Sequence, residues 1–419
     1  MRRRTFLHLT SGAAGGGLVS LACGAPAGKY KASVVVVGGG FAGATCALGL
    51  RRLDPSIEVT LIDPQQRYVT CPMSNSVLAG LRDIGSISVE RRGLSQAGIR
   101  HVRDRVSAVD THRRQVRLAG GGVLAYDRLV MAPGIRFLLN KPEGYDEAAA
   151  TKMPHAWQAG VQTEILAAQL RQIRDGGVVA ISVPAGPMRC PPGPFERASL
   201  MAGYLQQHKV RCKVLIFDAN NHFPRQDVFS EAWRTLYPGM IEWIPSVDDG
   251  AVVRVAPSKM TLYTAHQEHP VDVANIIPPQ APALLAVQSG LASDHGWCPV
   301  NPLTFESTLI ADVHIIGDAC IADPMPKSAS AANAQAKQCA LAIVAALNER
   351  EPPAALLESV CYSLLASGSA LSIHGRFRST DAGIEQLPEP ADTTAAAPLQ
   401  EAHNADAWYK GIVADSFGG

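Results

Sequence analysis

Residues 34–43 read Val-Val-Val-Val-Gly-Gly-Gly-Phe-Ala-Gly, and this stretch constrains the fold more than any other. Four β-branched residues in a row have no polar face, which predicts a short parallel strand buried on both sides. Gly38, Gly40 and Gly43 then complete G-x-G-x-x-G. The first glycine permits the tight turn, the second lets backbone approach a pyrophosphate, and the third lets helix and strand pack closely. The apolar run to Leu53 predicts the helix whose N-terminus faces that phosphate. A second strand, Val59–Ile62, ends in Asp63, about twenty residues past Gly43. A carboxylate there accepts hydrogen bonds from ribose hydroxyls, favouring FAD or NAD over a 2′-phosphorylated cofactor. Strand, glycine turn, helix and distal acid together predict a dinucleotide site.

The same logic organises the rest of the chain. Val102–Asp110 and Gln115–Leu118 suggest a hairpin, and Tyr126–Gly134 gives Y-D-x-L-V-x-A-x-G, with Ala132 and Gly134 small enough for backbone to crowd a cofactor. Glu164–Asp175 predicts a helix and Val178–Val183 a second buried strand, opening a second α/β domain. Where a nicotinamide-binding glycine turn would follow, residues 184–197 carry five prolines and two glycines. Proline removes N–H donors and fixes φ, so this loop cannot cradle a phosphate. Lys213–Asp218 and Ile241–Val253 extend the domain, and from Val271 the chain is expected to return to the first one. There Val313–Ala319 ends a strand in Gly317-Asp318, the second FAD fingerprint, with Asp318 placed for the ribityl or pyrophosphate end. Lys327 precedes a small-residue helix, Ala329–Leu347, whose N-terminus and ammonium would stabilise negative charge at the flavin.

The expected fold class is α/β: two Rossmann-like, glutathione-reductase-type dinucleotide-binding domains plus a small C-terminal α+β region. The boundaries are residues 30–145 and 271–348 for the FAD-binding domain, 146–270 for the second domain, and 349–419 for a flavin-covering or interface region. Residues 1–27 differ in kind. Arg2-Arg3-Arg4-Thr5-Phe6-Leu7, a weakly apolar stretch and Ala25-Pro26-Ala27 predict a twin-arginine export signal and a periplasmic protein. The stretch is too short and glycine-rich to span a membrane. A formal net charge of +1 and the lack of a basic, aromatic-interleaved run exclude nucleic acid as a partner.

The chain has nine cysteines, Cys23 within the export segment. No C-x-x-C or C-x-x-C-H occurs, so neither a zinc ribbon, other metal-ligand spacing nor haem attachment is expected. By residue type alone Cys190 and Cys361 are as readily buried structural residues as reactive ones, and spacing gives no pairing. Cys46, Cys212 and Cys339 suit a structural role, and Cys298 and Cys320 stay open.

With Thr70–Asn75 (T-C-P-M-S-N), Arg189–Arg197 (R-C-P-P-G-P-F-E-R), Gly296–Val300, Gly317–Ile321 and Val360–Ser363 in view, the chain resembles the flavoprotein subunit of flavocytochrome c sulfide dehydrogenases, relatives of sulfide:quinone reductases. The resemblance runs over essentially the whole mature chain. It implies FAD bonded covalently through Cys71, a redox-active disulfide between Cys190 and Cys361, and Glu196 as a base. It further implies sulfide as substrate and a separate c-type cytochrome subunit carrying the haem. The expected activity is periplasmic oxidation of sulfide to sulfur or polysulfide, with electrons passed to that cytochrome. Two other readings compete: an NAD(P)H-dependent flavin disulfide oxidoreductase, and a flavoprotein partner of sulfur-oxidation proteins that does not turn over alone.

Overall fold

The computed structural model describes residues 30–209, 211–354, 356–380, 382–388 and 398–418. The expected export segment and Cys23 lie outside them.

Ala32–Val37 sits at the centre of a parallel five-stranded sheet, ordered Val313–Ile315, Arg128–Met131, Ala32–Val37, Ile57–Ile62 and Arg100–Val102. Val34, Val36, Leu61, Leu129 and Ile315 are completely buried, as the unbroken apolar runs require of a sheet covered on both faces. Helix Phe41–Leu53 leaves the first strand through the glycine turn and packs on helix Ala329–Ala346. The first carries two glycines and the second is mostly alanine and other small residues, and the approach is close: a Cβ on Gly49 would lie 3.0 Å from that of Ala340. Arg100–Val102 belongs to this sheet, whereas the expected hairpin is a separate three-stranded piece, Val106–Asp110, Gln115–Leu118 and Val123–Ala125.

The second domain has a parallel sheet ordered Ile241–Ile244, Lys213–Asp218, Val178–Val183 and Val273–Ile276. This moves the expected boundary at residue 271. Val273–Ile276 is buried throughout and pairs with Val178–Val183, so the chain still belongs to the second domain there. The crossing back comes with Gln280–Pro282, antiparallel to Ile135–Phe137. The strand expected over Ile241–Val253 stops at Ile244 and gives way to an antiparallel trio from Arg254 to Pro270. The helix expected at Glu164–Asp175 spans Val161–Gln172.

A long hairpin, Leu356–Ala366 with Ser369–Thr380, and the strand Gly383–Leu387 form the C-terminal sheet. The expected flavin-covering region also contains a twenty-residue helix, Pro398–Phe417, that no sequence motif marked. Five of its six buried positions, Glu401, Ala405, Tyr409, Ile412 and Ser416, follow helical spacing. Two of the five are polar, which hides the stripe from a hydrophobicity reading. Phe417 packs edge-on against Phe41 and at a tilt against Tyr68, with centroids 5.4 and 5.5 Å apart, so this helix ends against the glycine turn.

Candidate active site

The three units converge on one cavity of about 790 Å³ that runs from the glycine turn to the C-terminal hairpin. At one end Gly38 has φ +98°, and a Cβ there would stand 2.2 Å from the Ala132 carbonyl oxygen. A Cβ on Gly43 would stand 1.9 Å from the Gly38 carbonyl oxygen. Both glycines are demanded by the protein's own backbone. Gly40 differs: its nearest neighbour is Tyr68, at an ordinary 3.5 Å, so its bare face is open towards the cavity. Gly40 caps helix Phe41–Leu53 without any side-chain hydrogen bond to the first turn. Unpartnered N–H groups, a positive dipole end and a missing Cβ are what a pyrophosphate needs. The residues present therefore fit FAD, and Gly134 (φ +69°), Ala132, Gly317 (φ +77°) and Asp318 continue the same wall.

Asp63 also faces this cavity, but its carboxylate is already engaged. Oδ2 accepts the Gly39 N–H at 2.8 Å, Oδ1 accepts the Gln65 N–H at 2.8 Å, and the Arg91 guanidinium lies 3.1 Å away. Asp63 thus braces the glycine turn as well as facing the ribose position. Arg91, only 5% exposed, went unnoticed in the sequence because no motif marks it.

At the other end the three distinctive cysteines meet. Cys71, Cys190 and Cys361 all line the cavity and are all free thiols in the structure, so a Cys190–Cys361 bond is not part of it. Cys190 has φ +55°, a left-handed conformation rare outside glycine, and its N–H donates to the Lys327 carbonyl at 2.8 Å. Burial pushes its thiol pKa far up, and the Cys361 sulfur is the foremost of the charged neighbours that add to this. Burial also raises the Cys361 thiol, opposed by hydrogen bonds from Ser328 and Ser359. Cys71 Sγ lies 3.8 Å from the Trp157 carbonyl oxygen.

Glu196 stands in the first turn of helix Gly193–His208, which the proline-rich loop launches. Oε2 accepts from Asn75 Nδ2 at 2.9 Å and Oε1 from the Leu364 N–H at 3.1 Å. Burial raises its pKa; the two hydrogen bonds and Arg197 pull the other way. The loop expected to lack a nicotinamide site has a counterpart one strand on. Asp218, fully buried, accepts from Trp243 Nε1 at 3.0 Å and from Asn220, whose amide also holds the Pro184 carbonyl. The acid that would greet a second ribose is consumed inside the domain.

Lys327 is not where it was expected. Its ammonium donates to the Asp318 and Cys320 carbonyls at 2.9 and 2.8 Å and sits 3.9 Å over the Trp297 ring. These three partners draw it behind the cavity wall, and it is Ser328 and Ala329, opening the helix, that face the cofactor space. Ser328 caps that helix by accepting the Ala331 N–H. Arginines do line the cavity, and among them Arg189 has Nη1 3.7 Å from Asp318 and Nη2 on the Trp157 carbonyl. It lies inside a motif already singled out, next to Cys190.

Residues 163–278 match the central region of the sulfide dehydrogenase [flavocytochrome c] flavoprotein chain, and residues 353–417 match the flavin-binding region of flavocytochrome c sulphide dehydrogenase. Residues 32–160 match the pyridine nucleotide-disulphide oxidoreductases. A 44-residue stretch is 66% identical to the flavoprotein chain of sulfide dehydrogenase [flavocytochrome c] from Chlorobaculum thiosulfatiphilum, covering 92% of that sequence and 10% of this chain. The chain belongs to the flavocytochrome c sulfide dehydrogenase flavoprotein family. This flavocytochrome c flavoprotein is also similar to the mitochondrial sulfide:quinone oxidoreductase of Mus musculus, 26% identical over 327 residues, 73% of this chain and 69% of that one. The solved sulfide:quinone oxidoreductase of Aquifex aeolicus shares its fold, with a TM-score of 0.75 at 18% identity over 92% and 91% of the two chains. The flavoprotein is an FAD-dependent, sulfide-oxidising oxidoreductase.

Proposed function

We propose that this flavoprotein oxidises sulfide at Cys190 and Cys361, which cycle between a disulfide and a dithiol, and delivers the electrons to a separate c-type cytochrome in the periplasm. The observation that carries this reading is Glu196. Its carboxylate is held by the Leu364 N–H, three residues past Cys361, and it follows Cys190 by six residues, in the same cavity. A base and two sulfurs thus share one partly enclosed space.

In the oxidised pair, HS⁻ attacks one sulfur. A new S–S bond forms to the incoming sulfide while the old S–S bond breaks, leaving a persulfide on one cysteine and a thiolate on the other. Glu196 takes the proton of H₂S as this happens, its raised pKa bringing it nearer the operating range of a general base. Bound FAD supplies the two-electron sink that allows the pair to return to its oxidised form. The glycine turn, with Gly40 open to the cavity, and Asp63 would hold its dinucleotide end, and Cys71 would bond its isoalloxazine. Sulfur leaves as elemental sulfur or polysulfide. The twin-arginine segment supports export, and the family's name supports a haem-bearing partner. Among the described residues no helix is long and apolar enough to cross a membrane.

The test is anaerobic titration of the purified protein with sulfide, with and without a c-type cytochrome. The flavin absorbance is expected to bleach once without the cytochrome and to cycle with it. Steady turnover with a water-soluble quinone alone would argue for another electron route.

A further inference from the structure

Asn75 closes the turn that carries Cys71, yet nothing in the reaction above uses it. It is 7% exposed and every polar atom of its amide is spent. Nδ2 donates to Glu196 Oε2 at 2.9 Å and to the Gly193 carbonyl at 3.3 Å. Oδ1 accepts Arg197 Nε at 2.9 Å. A guanidinium has no acceptor, so it must face the amide oxygen and thereby turns the amide N–H groups towards the carboxylate. Arg197 cannot swing away. It is 2% exposed, its other N–H groups bind the His155 and Ala156 carbonyls and Asn275 Oδ1, and its guanidinium lies 4.7 Å over the Trp157 ring.

We propose that Asn75 is a positioning residue for the sulfide-oxidising site: oriented by Arg197, its amide holds the Glu196 carboxylate towards the cavity shared by Cys71, Cys190 and Cys361. The inference rests on the reading of Glu196 as the base. The arrangement joins the three motif segments at one carboxylate. Asn75 comes from the Cys71 turn, Glu196 from the helix after Cys190, and Leu364 from the strand of Cys361. The ionisable groups around Glu196 are Arg197, which favours its charged form, and Cys190 and Cys361, whose thiols its charge pushes up. Losing the Asn75 donor destabilises the carboxylate against its acid, so the base must be reached at higher pH.

The experiment compares wild type, N75A, N75D and E196Q as flavin-loaded proteins, following anaerobic flavin reduction by sulfide against pH. A second readout is the infrared carboxylic-acid band that E196Q removes, titrated over the same range. N75D keeps the shape and the acceptor for Arg197 but replaces the donor with a second carboxylate beside Glu196, and its near-isosteric size guards against a variant that fails to fold. The acid limb and the infrared titration are both expected to move up by about one unit in N75A and further in N75D, with rates below the limb falling about tenfold. Native limb and native infrared titration in flavin-replete N75D would overturn the assignment. If E196Q itself keeps the native rate and limb, it is the base reading that fails, and the infrared shift in N75D still reports whether Asn75 holds the carboxylate.

Discussion

The backbone N–H of Cys190 donates to the carbonyl oxygen of Lys327 at 2.8 Å, joining the second domain's proline-rich loop to the start of the FAD domain's last helix. The loop that stands where a nucleotide-binding turn would lie thus carries a thiol into the first domain's cofactor cavity. Proline suits this, since a loop with few N–H donors and fixed φ angles holds one shape. Lys327 contributes its backbone carbonyl to this junction, and its ammonium ties the Asp318 and Cys320 carbonyls together.

That assignment gives the first prediction. Lys327→Met removes both carbonyl contacts and the seat over Trp297. It should cost about 1–3 kcal/mol of stability, read as a lower melting temperature. The flavin midpoint potential should stay close to native. A large fall in potential with unchanged melting would return the lysine to the cofactor.

The glycine turn separates two kinds of glycine. Gly38→Ala meets the Ala132 carbonyl and a strained φ, so both folding and flavin content should drop. Gly40→Ala meets only Tyr68, and should change apoprotein stability by less than about 1 kcal/mol while clearly lowering the flavin-to-protein ratio. The measurement is that ratio beside a melting curve. Native flavin content in Gly40→Ala would place the pyrophosphate elsewhere.

The C-terminal helix is predicted to matter for cofactor retention. Phe417→Ala removes a ring packed on Phe41 and Tyr68, and should cost about 3–5 kcal/mol and lower flavin incorporation. Tyr409→Phe, which loses a 2.9 Å hydrogen bond to Thr70, should cost only about 1 kcal/mol. Differential scanning calorimetry on flavin-loaded protein distinguishes the two.

The proposed flavin bond is tested by acid denaturation. Yellow colour should stay on the polypeptide in wild type, and Cys71→Ser should release it while binding FAD through the glycine turn. Free flavin in the acid supernatant of the native protein would contradict the bond.

The pH dependence follows from burial of Glu196. Its pKa is raised above the ordinary carboxylate value, and it acts as a base only when ionised. The rate of flavin reduction should therefore fall as pH drops, with the limb above the ordinary carboxylate range, and Glu196→Gln should remove that limb.

The parallel sheets were legible in the sequence because buried β-branched runs admit few other folds. The glycine turn was legible because its spacing has a steric cause that Ala132 and Gly38 confirm. Val273–Ile276 was misplaced since an apolar run tells that a strand is buried, not which sheet it joins. The C-terminal helix was missed because Glu401 and Ser416 occupy buried positions and give no apolar stripe. Arg91, Asn75 and Lys327 show the general limit. Which carbonyl or carboxylate a polar side chain meets is set by distant segments of the fold, and no local pattern records it.

The most direct measurement is anaerobic stopped-flow of Cys190→Ser and Cys361→Ser separately, following flavin absorbance after mixing with sulfide. Each variant should bind FAD and keep its fold yet lose sulfide-driven reduction, while Cys212→Ser, remote from the cavity, behaves as wild type. Near-native reduction in either variant would mean that sulfide does not react through the pair.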